Sequence, residues 1–207
     1  YFSNLIICNS EATKRNCVQR EPRIEKKCMV IYNGVVIDTI LENENRSNSK
    51  PRFLVASHLR QSKGIQDLIA AVALLPQTIR EELVIDVYGD GPYRATLLER
   101  IQEQGVTNCF RFKGSVSNLH EVYVHYDYML QPTHMECFSL SILESLAANV
   151  PVLTTNVGGN EEAVFSGVNG YIYPVGDYGA LKELIQSLWI GELQIKGNTR
   201  EAIVQQF

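Results

Sequence analysis

Tyr128-Met-Leu-Gln-Pro-Thr-His-Met-Glu136-Cys-Phe-Ser139-Leu-Ser-Ile-Leu-Glu144-Ser-Leu-Ala-Ala148-Asn-Val-Pro-Val152-Leu-Thr-Thr155 is the stretch on which the fold turns. Tyr128–Gln131 and Val152–Thr155 are short, largely apolar or β-branched runs, which predict buried strands. Between them Phe138–Ala148 reads as an apolar helix with Glu144 as its one charge. Strand, helix and strand in so short a span make a βαβ unit, whose strands run parallel and whose helix covers a sheet face.

The same alternation extends in both directions. Leu5–Cys8, Met29–Tyr32, Arg52–Ala56, Leu83–Tyr88, Phe110–Lys113 and Tyr171–Tyr173 are further predicted strands. Ile65, Leu68, Ile69, Val72 and Leu75 recur at helical spacing, as do Leu181, Leu184, Ile185 and Leu188 after Asp177, a candidate N-cap. The expected fold is α/β, a Rossmann-like doubly wound parallel sheet. Leu41–Lys50 has nine polar or charged residues in ten and predicts a surface loop. Residues 1–32 read as the tail of a preceding unit and a crossover, 33–190 as the ligand-binding domain, and 191–207 as a C-terminal helical segment. The chain opens on Tyr1-Phe-Ser without an initiator Met or a signal-peptide layout, which reads as a piece of something longer.

Composition removes several classes of function. With 45% hydrophobic and 20% charged residues, the 207-residue chain is neither disordered nor collagen-like. A net charge of −4, with no basic clusters among the aromatics, gives no surface for tracking a polyphosphate, so nucleic acid is not an expected partner. Leu68–Leu75 is the longest unbroken apolar run, far short of the ~20 residues of a membrane helix. Five scattered cysteines without a Cys-x-x-Cys pair argue against a disulfide framework or a zinc site and favour a reducing cytoplasm. His58, His120, His125 and His134 form no i, i+4 pair, and there is no Asp-x-Asp clamp, so no catalytic metal is expected.

In a doubly wound sheet, ligands sit beyond the carboxyl ends of the strands. The loops to read are therefore Ser57–Gly64, Gly89–Tyr93, Gly114–Leu119, Pro132–Ser139 and Asn156–Glu162. A carboxylate in an apolar helix is costly unless hydrogen bonds reach it, and the hydroxyls of a sugar or ribose could supply them to Glu144. Glu136, in the loop feeding that helix, is expected to face the same pocket mouth. Helix-start amides near Ser139 and Leu140 are open to an anion. The spacing equally allows Glu144 on a solvated stripe and Glu136 as an ordinary loop residue. Lys63-Gly64 at a strand-to-helix turn suits a phosphate, or is merely a solvated loop, and it is not a Walker A sequence. Gly89-Asp-Gly-Pro92 is first of all a turn, and Gly158-Gly159 allows either close backbone approach to a ligand or a tight loop.

Together these segments resemble one family. Glu136-Cys-Phe-Ser-Leu-Ser-Ile-Leu-Glu144 resembles the Glu-x7-Glu signature of retaining GT-B glycosyltransferases of the large family-four type. Val55–Gly64 resembles their G-R-L-x-x-x-K-G loop, Tyr88–Pro92 their G-D-G-P turn, and Asn149–Gly159 their G-V-P-V-V-A-T-x-x-G-G segment. Gly167–Gly170 with Gly176-Asp177, and Asn33-Gly34-Val35, match further motifs in the same order.

The resemblance implies a nucleotide-sugar-binding domain spanning 33–190, acting in hexose transfer from a nucleotide-diphosphate sugar to an acceptor hydroxyl in glycan or glycolipid biosynthesis. It implies Lys63 and Glu136 as the catalytic groups, Lys63 on the donor diphosphate and Glu136 on the donor sugar. Glu144 would hold the ribose, amides around Phe138, Ser139 and Leu140 the phosphates and sugar, and Gly114, Val116 and Leu119 the base. The family's diphosphate arginine is His58 here, with Arg60 two residues on as the alternative source of charge. No cofactor is implied, the nucleotide sugar being the substrate. The acceptor, a sugar or a lipid-linked sugar, would bind an N-terminal domain of which only the end is represented, so the chain alone is expected to be inactive. A cytoplasmic site, with peripheral membrane contact of the longer protein, completes the expectation. A nucleotide-sugar epimerase of GT-B architecture and a non-catalytic glycosyltransferase-like subunit are the rival readings.

Overall fold

The computed structural model describes residues 3–46, 50–204 and 207. The opening Tyr1-Phe2, the Ser47–Ser49 centre of the polar loop and Gln205-Gln206 of the C-terminal segment lie outside the described residues.

Each strand read from the sequence is present, six of the eight with their ends moved by one or two residues. They are β1 (Ile6–Cys8), β2 (Cys28–Val30), β3 (Phe53–Ala56), β4 (Ile85–Tyr88), β5 (Phe110–Gly114), β6 (Tyr128–Gln131), β7 (Val152–Thr155) and β8 (Gly170–Tyr173). The helices are α1 (Glu11–Arg20), α2 (Ile65–Ala73), α3 (Gln77–Arg80), α4 (Arg94–Glu103), α5 (Leu119–Val122), α6 (Leu140–Ala147), α7 (Asn160–Ala163), α8 (Tyr178–Trp189) and α9 (Thr199–Val204). Asp177 caps α8 as its sequence position predicts, accepting from the Ala180 amide at 2.8 Å.

Among the described residues β3 to β8 form one six-stranded sheet in the order β5-β4-β3-β6-β7-β8, every pair parallel. Both faces are covered, so the central strands carry no alternation of polar and apolar residues; all four residues of β3 are buried. Phe53 and Val55 point into a core completed by Leu68, Ile69 and Val72 of α2, Leu97 of α4 and Leu181 of α8. Leu54 and Ala56 point into a second core with Ile142, Leu143 and Leu146 of α6 and Ile203 of α9. Truncating a side chain as enclosed as Leu68 would cost about 2–5 kcal/mol.

The chain winds outward from β3 to β5, returns to the other side of β3 and winds outward again to β8. The winding direction reverses between β3 and β6, and the crevice beyond the carboxyl ends of the strands lies at that switch point.

One local finding differs from the sequence reading. The polar loop is not wholly a surface feature, because Asn43 is buried within it. Its amide donates to the Ala148 carbonyl at 2.9 Å, its side chain donates to the Tyr126 carbonyl at 2.7 Å, and its carbonyl accepts from Asn149 Nδ2 at 2.8 Å. Beside the main sheet, β1, α1 and β2 form a separate parallel pair with its own helix, held to the main body by the Ser10 hydroxyl, which donates to the Cys137 carbonyl at 3.1 Å, and by the Glu162 carboxylate. Glu162 accepts from the first α1 amides, Glu11 at 2.9 Å and Ala12 at 2.7 Å, and from the Tyr32 hydroxyl at 2.9 Å. A carboxylate there answers both the unpaired amides and the positive end of the helix.

Candidate active site

The crevice at the β3/β6 reversal is an open cleft of about 550 Å³. The loop after β3 contributes Ser57, His58 and Lys63, and the turn after β4 contributes Gly89 and Asp90. Ser115, Val116 and Leu119 follow β5; Glu136, Phe138, Ser139 and Leu140 follow β6.

Two of these loops are stitched together. Gly64 has φ +70°, and a Cβ on it would lie 1.6 Å from the Pro132 carbonyl oxygen, so only glycine lets the loops approach this closely. The His134 amide donates to the Ser62 carbonyl at 2.8 Å, and its ring Nε2 lies 2.6 Å from Asp67 Oδ2. Behind them Gly158 (φ +57°) passes under the Glu136 carbonyl, where a Cβ would approach to 1.8 Å.

This stitching brings Lys63 Nζ to 2.8 Å from Glu136 Oε2, both side chains largely shielded from solvent. Gln131 Nε2 donates to the same oxygen at 3.2 Å, and the Cys137 amide donates to Oε1 at 3.2 Å. The carboxylate is therefore fixed by three donors. Ser139 caps α6, its hydroxyl accepting from the Ile142 amide at 3.4 Å. The first-turn amides of Leu140 and Ser141 have no intrahelical acceptor and lie at the cleft wall, a place for an anion.

The cleft gathers His58, Lys63, Val116, Leu119, Glu136, Phe138, Ser139 and Leu140. Three other residues named from the sequence lie elsewhere. Arg60 is exposed and off the cleft wall, because Leu59 beside it is drawn fully into the core and turns the loop. Gly114 ends β5 with its carbonyl accepting from the Gly89 amide at 2.8 Å, leaving Ser115 and Val116 as the lining residues. Glu144 does not share the mouth with Glu136. It sits one helical turn beyond Leu140, which stands between them, and opens into an adjoining recess of about 280 Å³ walled by Val35, Val36, Ile40 and His120. Burial raises its carboxyl pKa, opposed by the Tyr123 hydroxyl, which donates to it at 3.2 Å, and by His120.

Asn33, Tyr88, Gln131 and Ser141 line the cleft without having been singled out individually in the sequence. Asn33 reaches across to donate to the Phe138 carbonyl at 3.1 Å. Gln131 had a signal: an amide side chain ending the otherwise apolar run Tyr-Met-Leu needs partners. Among the described residues no group of three His, Cys, Asp or Glu is placed to hold a metal ion, and no helix is long and apolar enough to cross a membrane.

Known proteins share this architecture. The chain is 32% identical over 164 residues to N-acetyl-alpha-D-glucosaminyl L-malate synthase of Bacillus anthracis, covering 78% of this chain and 42% of that protein. It is 29% identical over 166 residues to glycogen synthase of Mycobacterium tuberculosis, covering 77% and 39%. The chain thus spans less than half the length of these curated relatives. The crystal structure of Anabaena HepE in complex with UDP and glucose superposes with a TM-score of 0.85 at 24% identity, over all of this chain and 60% of that one. The family model described as glycosyl transferases group 1 matches residues 36–206, the whole of the doubly wound sheet with its helices and the loops of the cleft that follow its strands, and the chain belongs to that family.

Proposed function

We propose that the chain is the donor-binding half of a retaining glycosyltransferase that moves a hexose from a nucleotide-diphosphate sugar to an acceptor hydroxyl in glycan or glycolipid biosynthesis. The observation that carries this reading is the Lys63–Glu136 pair beside the open amides of α6. A cation and free N–H groups suit a diphosphate, and the adjacent fixed carboxylate suits the hydroxyls of a sugar attached to it.

As the bond from the anomeric carbon to the β-phosphate oxygen breaks, negative charge grows on the leaving diphosphate. Lys63 and the Leu140 and Ser141 amides meet that charge, with His58 at the edge, and stabilising it is the main catalytic task. The base lies against Val116 and Leu119, and Glu144 takes the ribose hydroxyls from its recess. Residues 33–190 form the donor domain, followed by the 191–207 segment, whose α9 packs against α6. Residues 1–32 belong to the acceptor side, where a sugar or lipid-linked acceptor binds in the longer protein, cytoplasmic and peripheral to a membrane. The relative crystallised with UDP and glucose supports a nucleotide-sugar donor.

Calorimetry with UDP, GDP and ADP on the wild type and on Lys63→Ala tests the reading. Binding of at least one nucleotide, weakened about tenfold or more in the variant, is expected. No binding of any of the three, or equal binding by Lys63→Ala, overturns it.

A further inference from the structure

Gln131, the last residue of β6, is 3% exposed, and its side chain touches two cleft groups at once. Nε2 donates to Glu136 Oε2 at 3.2 Å and to Ser139 Oγ at 2.9 Å, while Ser139 Oγ lies 3.3 Å from Oε1. The backbone is held as well, for its carbonyl accepts from the Thr154 hydroxyl at 3.0 Å within the β6–β7 register. Turning the amide over would set Oε1 against a carboxylate oxygen, so its orientation is dictated by Glu136. Both amide protons are spent inside the protein, which leaves this side chain to act through its neighbours.

We propose that Gln131 is a positioning residue that keeps the Glu136 carboxylate aimed at the donor sugar; this rests on the donor-site reading above. The Glu136 oxygen that Gln131 holds is also the one that Lys63 holds at 2.8 Å. A diphosphate in the cleft competes for Lys63, and once the ammonium turns to the phosphates Glu136 loses its cationic partner. Gln131 on Oε2 and the Cys137 amide on Oε1 then keep the carboxylate from rotating away. Through Ser139 the same amide ties that carboxylate to the N-terminus of α6, so sugar and phosphate groups are held in one frame.

The test compares dissociation constants of the pairs UDP and UDP-glucose, GDP and GDP-mannose, and ADP and ADP-glucose by calorimetry. Whichever pair the wild type binds is carried to Gln131→Met and Gln131→Asn, the second variant, which keeps a neutral amide but shortens its reach, guarding against misfolding of the first. The diphosphate alone is expected to bind within twofold of wild type, and the ratio of nucleotide-sugar to diphosphate dissociation constants to rise about tenfold. In a Glu136→Ala background, Gln131→Met should change that ratio less than twofold, since a residue acting through Glu136 has nothing left to act on. Equal weakening of both ligands, or an undiminished effect without Glu136, makes Gln131 a merely structural residue and overturns the inference alone. A wild type that binds no member of any pair overturns the donor-site reading and this inference together.

Discussion

Lys63 Nζ and Glu136 Oε2 lie 2.8 Å apart although 73 residues separate them in sequence. The pair joins the loop after β3 to the loop after β6, and on the donor-site reading proposed above a diphosphate competes with a carboxylate for the lysine. Glu136→Gln, which keeps the side-chain shape but removes that competitor and its negative charge, should therefore bind a nucleoside diphosphate several-fold more tightly than wild type. Calorimetry with the free diphosphate reads this directly; weaker binding by the variant would show that the two charges do not compete.

Gly64 and Gly105 have nearly the same backbone conformation, φ +70° and +66°, in very different surroundings. A Cβ at Gly64 collides with the Pro132 carbonyl, and one at Gly105 meets nothing within 4 Å. Gly105→Ala should cost only the left-handed penalty of about 1–2 kcal/mol. Gly64→Ala should lose that amount plus about 1–3 kcal/mol for forcing the two loops apart, together with nucleotide binding. Urea denaturation of the two variants separates the terms, and equal losses would contradict the collision.

Glu144 supplies the pH dependence. Burial places its folded-state pKa above that of the unfolded chain, so the folded state binds the extra proton and this residue's contribution to stability grows as pH falls through the raised value. Burial penalises its charged form, a cost that an amide does not bear. Glu144→Gln should therefore melt higher than wild type at pH 7, with the gap narrowing as pH is lowered toward 4. Thermal melts across that range check the sign; a gap that widens on acidification would reverse it.

His58 stands at the cleft and Arg60 outside it. Guanidinium carries its charge throughout the accessible pH range and can grip phosphate with two parallel hydrogen bonds, which an imidazole cannot. His58→Arg should then raise diphosphate affinity several-fold at pH 8, and Arg60→Ala should leave it within twofold. Affinity loss in the second variant would return the role to Arg60.

Much of this was legible in the sequence because a parallel sheet covered on both faces writes its strands as continuous apolar runs, as in Phe53–Ala56 and Val152–Thr155. The cap at Asp177 was legible for a local reason, since its partner amide is three residues away. What escaped depends on contacts distant in the chain. Asn43 looked like one more polar residue of a loop until the carbonyls of Tyr126 and Ala148 reached it. Glu144 opens into a recess beside the cleft, with Leu140 bordering both, an arrangement that spacing along a helix does not disclose. Gln131 was passed over because its partners belong to a loop whose path no periodicity describes.

The neighbours of β3 carry a consequence for how the protein is made. β4 arrives soon after it, but β6 pairs with β3 from far downstream, and at that junction the Arg52 amide donates to Asp127 across 75 residues. During synthesis the strand that ends at the cleft therefore waits with one apolar edge open until β6 has left the ribosome, a state prone to pairing with another chain. The Lys63–Glu136 pair is assembled in the same late step that closes this edge, so a nascent chain has no partial version of the cleft before the sheet is sealed.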